Sequence, residues 1–293
     1  MKPQTVLFTG ALLALPTLLQ AQFTGHYVPG VEGIKCASLP PPGFYLRDYN
    51  VMYTADRMNF PNGDEIRGLN FDATVYANVI RGIWVTDWKV LGGDFVMDAL
   101  VPLQYTQIKV NGWHDSEFGF GDICLEPAVI SWHGPQWDAA FGYALWMPTG
   151  DSQPGSAEPG KGFWGHMITA GGTVYFDQEK TWALSLLNRY EINTEQRDTD
   201  ITPGNVWTLE WGLSKKLNPV VEVGVAGYYQ LQTTKDSGDH ASDERDQVLA
   251  FGPEVCLVCP DLGLITSLRY NIEVMAKDRP QGQTVTLTLT KAF

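Results

Sequence analysis

Few residues in this chain are able to do chemistry, and their spacing decides which chemistry is open to them. Cys256-Leu-Val-Cys259 has the CxxC spacing of a redox pair or half a zinc site. A thioredoxin-like dithiol needs a βαβ setting, and zinc needs a second such pair or added histidines. Neither accompanies Cys256 and Cys259, and His26, His133, His166 and His240 fall at no metal-ligand spacing. No metal and no cofactor is expected. His114 and Ser116 stand two apart in "GWHDSEFG", the residue types of a base and a nucleophile. An outer-membrane lipid hydrolase also needs a third group to orient the base and an Asn after the Ser. Glu117 follows Ser116, and the pair reads as part of a loop. No catalytic residue is assigned, and the chain reads as a non-enzyme. The acid-rich run from Asp236 to Asp246 lacks the spacing of a calcium loop and reads as solvated.

What remains is a set of charged residues at alternating positions: Asp98, Glu126, Arg189, Glu191, Glu210, Glu222, Glu254, Arg269 and Glu273. Trp182, Leu184, Leu186, Tyr190 and Ile192 share one side, with Ser185, Arg189 and Glu191 on the other. Leu264, Leu268, Tyr270, Ile272 and Val274 likewise face away from Arg269, Asn271 and Glu273. A period of two is the period of a strand. It recurs in Phe71 to Val79, Phe95 to Tyr105, Trp137 to Met147, Trp207 to Leu213 and Val221 to Leu231. About twelve such segments begin near residues 43, 69, 94, 119, 137, 164, 181, 205, 219, 247, 263 and 283. Each runs about ten residues, the length a tilted strand needs to cross a bilayer. Soluble sheets typically use five or six.

The connections alternate in length. "HGPQ", "DQEK", "KLNP" and "CPDL" are short. "ADRMNFPNGDEIRG", "TQIKVNGWHDSEFG", "PTGDSQPGSAEPGKGF", "TEQRDTDITPGN" and "TTKDSGDHASDERDQ" are long and polar. "GIWVTDWKVLGG" belongs on the short side and reads as a strand continuing past the membrane rim. In lipid every backbone N–H and C=O must pair within the protein, so a spanning sheet must close without an edge. The expected fold is an all-β, antiparallel transmembrane barrel of about twelve strands. Apolar residues would face lipid, and the nine charged residues would face the lumen. Counted about the turns, Arg189 falls opposite Glu210 and Arg269 opposite Glu254. Two uses stay open: these groups line a water path, or they fill a narrow lumen as ion pairs. Trp84, Trp88, Trp132, Trp137 and Trp182 lie near short turns, and Trp146 and Trp164 flank a long loop, the pattern of an interfacial girdle.

Both ends of the chain agree with export to an outer membrane. Lys2, the apolar stretch Val6 to Leu19 and Ala21 read as a secretory signal peptide over residues 1–21. Thr284 to Lys291 alternates with apolar residues and ends on Phe293, an aromatic terminus of the kind the barrel-assembly machinery reads. A net charge of −13, with no basic stripe, argues against nucleic acid.

Residues 22–42 precede the barrel, expected over residues 43–293, and carry no periodicity. They read either as a disordered periplasmic tail or as a compact plug inside the lumen, with Phe23, Tyr27, Val28, Val31 and Ile34 to bury. Here the motifs "GHYVPG", "LPPPGFYL", "WKVLGGDF", "GFGDICLEP" and "LTLTKAF" occur. Together they resemble the outer-membrane family named for the meta-pathway of phenol degradation, the SphA-like transporters, over essentially the whole mature chain. The resemblance implies a barrel in outer-membrane lipid that passes small hydrophobic or aromatic solutes. It assigns no role to Cys36, Cys124, Cys256 or Cys259. Cys256 should face the lumen near the periplasmic mouth, where residues 22–42 would enter. A disulfide from Cys36 to Cys256 or Cys259 is therefore expected to tether that segment to the wall.

Overall fold

The computed structural model describes residues 25–197, 199–239 and 241–293; the signal peptide expected at 1–21 lies outside them, as do Phe23 and His240. The strands are β1 (Gly43–Met58), β2 (Phe71–Val90), β3 (Gly93–Val110), β4 (Trp113–Phe120), β5 (Ile123–His133), β6 (Trp137–Met147) and β7 (Gly165–Tyr175). They continue with β8 (Trp182–Asn193), β9 (Val206–Lys216), β10 (Val221–Gln232), β11 (Gln247–Cys259), β12 (Leu264–Lys277) and β13 (Pro280–Ala292). All pair antiparallel in one 13-stranded sheet. The sheet closes where β1 meets β13, from Tyr45 opposite Ala292 to Met58 opposite Pro280. Among the described strands β4 pairs with β3 alone, so twelve strands form the ring.

The extra strand has a local cause. β4 and β5 run down the same edge of β3, with Phe120 opposite Leu103 and Cys124 opposite Leu100. They are two halves of one descending strand. Between those pairs β3 uses Val101 and Pro102, whereas the descending chain uses Gly121, Asp122 and Ile123, which makes a bulge. Pro102 accepts from the Gly121 N–H at 3.0 Å. In an antiparallel strand the nitrogen of that residue faces the same neighbour, and a proline nitrogen has no hydrogen to offer. The ladder breaks there, and the Asp122 side chain is buried.

Residues 113–120, expected in a loop, are thus a strand. Asn111-Gly112 explains it: φ values of +49° and +87° make the two-residue turn that joins β3 to β4 as a hairpin. The stretch "GIWVTDWKVLGG" continues β2 to Val90 and turns at Leu91-Gly92.

The wall is inverted relative to a soluble sheet. Trp182, Leu186, Phe251, Leu268 and Val285 are exposed on the outside, while Ser185, Arg189, Glu210, Gln230 and Asn271 are buried inside. Phe293 lies outside, its ring 5.9 Å from Phe44 and its N–H on the Phe44 carbonyl at 3.0 Å. Two sequence expectations need correction. On β2 the apolar face points inward: Phe71 and Ala73 are buried with Ala55, Met58, Ile108 and Val110, while Tyr76, Ile80 and Trp84 are exposed. β1, β2 and β3 are the long strands, at 16, 20 and 18 residues, and this apolar cluster fills the lumen at their loop-side ends. Trp146 is no girdle residue either. It is buried and stacks on His26 at 5.5 Å, whereas Trp84, Trp88, Trp137, Trp164 and Trp182 are exposed.

Candidate functional site

Residues 25–42 fold into the lumen, held by side chains of the wall. An irregular segment in a polar lumen needs partners for its backbone groups, and the wall carboxylates supply them. Glu191 on β8 accepts from His26 N at 2.8 Å and Tyr27 N at 3.2 Å. Glu210 on β9 accepts from Gly30 N at 2.8 Å, Glu32 N at 3.1 Å and the Tyr27 hydroxyl at 2.5 Å. Glu254 on β11 accepts from Ile34 N at 2.9 Å, and Ser185 on β8 from Ala37 N at 3.0 Å. In return Arg269 on β12 donates to the carbonyls of Gly30 and Val31 at 3.1 and 2.8 Å. The fit leaves no room for a side chain at Gly33, where a Cβ would overlap the Glu254 carboxylate and the Arg269 guanidinium. Tyr27 and Ile34 are buried; Val28 is exposed.

Glu32 sits at the centre. Its carboxylate accepts from Arg47 at 3.1 Å, Arg81 at 3.0 Å and Tyr49 at 2.9 Å, with Arg189 3.9 Å away. Burial alone would raise its pKa, but Arg47, Arg81 and Arg189 outweigh burial and hold it at about 2. Arg81 also donates to Asp98 at 2.7 Å and Glu126 at 2.6 Å. Arg189 bonds Glu210 at 2.7 Å and lies 4.1 Å over the Tyr27 ring. Lys35 pairs with Glu222 at 2.8 Å.

His26 and Asp122 make a second latch. His26 Nδ1 lies 2.6 Å from Glu191 and Nε2 3.3 Å from Asp122. Burial opposes the imidazolium, yet Glu191 and Asp122 together raise the His26 pKa above 6.5. Asp122 also accepts from Gly150 N at 3.0 Å and Lys161 N at 2.7 Å. One carboxylate, placed by the bulge opposite Pro102, therefore ties the β6–β7 loop to the lumen segment. Between that segment and the wall lies a small cleft open to solvent. Leu39, Ile83 and Val129 line it beside Arg47, Arg81 and Glu126.

All nine charged residues singled out in the sequence lie inward, none more than 8% exposed. Arg269 pairs with Glu254 at 2.9 Å across the β11–β12 register, and Glu273 accepts from Tyr53 and Tyr228 at 3.1 Å each. Arg189 reaches Glu210 diagonally, since its register partner is Thr208. The expected tether is not formed: Cys36, Cys124, Cys256 and Cys259 are free thiols. Cys36 turns to Ser185 at 3.3 Å, and it is Lys35 that reaches Glu222, the register partner of Cys256. Burial, with the Glu210 charge nearby, pushes the Cys36 thiol up to about 12, which leaves it unreactive. His114 and Ser116 lie on β4 opposite Lys109 and Gln107, with no hydrogen bond between them. Glu32, Arg47, Arg81, His26 and Asp122 escaped the sequence reading. Arg81 carried a signal: it continues the odd-numbered face of Phe71 to Val79, and a charge there marks that face as inward.

A closed barrel with an apolar exterior, a charged lumen and a segment latched inside it defines an outer-membrane β-barrel protein. The chain belongs to the family described as the MetA-pathway of phenol degradation, whose model matches residues 55–289. Among solved structures it is similar to an outer membrane channel of Pseudomonas putida F1, with a TM-score of 0.75 at 15% identity over 91% of this chain and 100% of that one. The β domain of the Bordetella autotransporter BrkA gives 0.52 at 14% over 86% and 99%. The translocator domain of the Neisseria meningitidis autotransporter NalP gives 0.51 at 11% over 88% and 91%. These likenesses are of fold. A search of curated proteins gives no match.

Proposed function

We propose that this protein is an outer-membrane channel for small hydrophobic or aromatic compounds, gated by residues 22–42. The observation that carries the reading is the latch: residues 25–42 lie in the lumen on hydrogen bonds and ion pairs that water can replace. The family's description points to phenol degradation, and the Pseudomonas relative is a channel. The cleft beside the segment mixes aliphatic and charged lining, as a passage for rings with polar substituents requires. Export rests on the signal peptide at 1–21. Insertion rests on Phe293 as the residue offered to the assembly machinery, with outer-membrane lipid around the apolar wall.

The test uses liposomes carrying the refolded mature chain or a form lacking residues 22–42. A small aromatic solute is expected to enter where a sugar of similar size does not, faster in the truncated form. Entry of neither solute through either form would refute the channel.

A further inference from the structure

The outer wall carries a polar patch where lipid should be. Even-numbered side chains of β1 and β2 point outward, among them the exposed Leu46, Met52, Tyr76, Ile80 and Trp84. Asp48 and Asn50 on β1 and Asn78 on β2 belong to that outward set. They form one cluster. Asn78 Nδ2 donates to Asp48 Oδ1 at 2.6 Å and to Asn50 Oδ1 at 3.1 Å, and Asn50 Nδ2 donates to Asp48 Oδ2 at 3.2 Å. The other mid-strand acids, Asp98, Glu126, Glu191, Glu210, Glu254 and Glu273, all turn inward.

The register fixes the depth of the cluster. Asp48 stands opposite Ile80, and Ile80 lies midway between the outward aromatics Trp84 and Tyr76. Phe44 pairs with Trp84, and Tyr105 with Tyr76, so these two levels are the aromatic girdles of this part of the wall. Four residues of strand, about 13 Å, separate Asp48 from either one. At that depth the bilayer holds no water, and acyl chains neither donate nor accept hydrogen bonds. Headgroups lie out at the girdles. A carboxyl group and two carboxamides are costly to leave against hydrocarbon, and what can meet them there is protein.

The groups that the cluster leaves over complement themselves. Asn78 Nδ2 spends both hydrogens within it, which leaves Asn78 Oδ1 as an acceptor, while Asn50 Nδ2 keeps one hydrogen. Asn50 and Asn78 are register partners, side by side at nearly one depth. A two-fold axis along the membrane normal, passing between them, sets Asn50 of each copy against Asn78 of the other. The spare donor then meets the spare acceptor twice. Asp48 already accepts from two amides of its own chain and need not meet its twin. Leu46, Met52, Tyr76 and Ile80 give the contact an apolar rim.

We propose that the β1–β2 face is the interface of a homodimer in the outer membrane, held at mid-depth by Asn50 and Asn78 across a two-fold axis. The interface does not depend on what the lumen passes.

The experiment is photo-crosslinking in native outer membranes, with benzoylphenylalanine in place of Ile80 on the rim of the patch. The control carries it in place of Leu186 on β8, six strands away around the ring. Irradiation is expected to give an adduct of two copies of this chain from position 80 and none from position 186. Two symmetric hydrogen bonds at membrane depth are worth about tenfold in dimer population. Adding Asn50→Leu and Asn78→Leu should therefore cut the adduct by about that factor, while the heat-dependent shift in gel migration shows the barrel still folded. No adduct at position 80, an adduct with a different protein, or equal adducts at both positions would overturn the dimer, and none of these readings needs the leucine variant to fold. An undiminished adduct in the folded leucine variant would overturn the part given to Asn50 and Asn78.

Discussion

At the scale of single residues the latch is a set of carboxylates that each serve several partners, so one substitution frees several groups at once. Glu210 takes Gly30 N, Glu32 N, the Tyr27 hydroxyl and Arg189. Glu210→Ala leaves Arg189 without its closest anion and three donors without an acceptor. Breaking a buried pair this way costs about 3–5 kcal/mol, a shift of roughly a hundredfold or more toward the open form. Single-channel recording should show the rise in open probability, and an unchanged value would exclude Glu210 from the latch. His26 gives the latch a pH response. Its folded pKa is raised by Glu191 on β8 and by Asp122 in the bulge, with Lys161 the cation nearby. The contribution is fully present below 6.5 and is lost as pH rises through the raised value. Conductance of the full-length protein should therefore rise with pH above 6.5 and lose that step in His26→Gln. Alternation placed the nine wall charges from the sequence alone, because a charge between lipid-facing neighbours has one face to occupy. Glu32 and His26 were not legible, because they lie in a stretch whose partners are far away in sequence and which has no period of its own.

At the scale of elements the departure from a regular barrel is the break between β4 and β5. Pro102 removes one ladder hydrogen, the strand bulges, and Asp122 turns inward to hold Gly150, Lys161 and His26. Strand positions were legible because a half-lipid, half-water wall enforces the period of two. The break was not, since it depends on which strand stands beside Pro102. The Asn111-Gly112 turn was visible as a dipeptide, but it sat inside a polar stretch that looked like the other long loops. Asp122 anchors the β6–β7 loop at Gly150 and Lys161, beside Asp115 on the Ala157 N–H at 2.8 Å, so Asp122→Ala should loosen it at Lys161 while the wall stays closed. Trypsin would then cut after Lys161, whose N–H Asp122 now holds. Cleavage at equal rates in both forms would show that the loop is anchored elsewhere, for instance through Gln196 on the Lys161 carbonyl at 2.9 Å.

At the scale of the whole molecule two structures share one chain: a hydrogen-bonded cylinder and a segment that neutralises its interior. Closure runs through backbone ladders from β1 to β13 and does not involve residues 25–42. Removing residues 22–42 should accordingly leave a folded barrel that keeps its heat-dependent shift in gel migration. The interior it exposes is acidic. Asp98, Glu126, Glu191, Glu210, Glu222, Glu254 and Glu273 face inward against Arg47, Arg81, Arg189 and Arg269, and the deletion takes away the cations His26 and Lys35 together with the anion Glu32. Rings of carboxylates select cations. The truncated barrel should show a reversal potential favouring K⁺ over Cl⁻ in a salt gradient. That preference should weaken at high salt, as screening shortens the reach of the wall charges to a few ångströms. An anion-selective or unselective pore would mean that the arginines freed from Glu32, and not the acids, govern the open lumen.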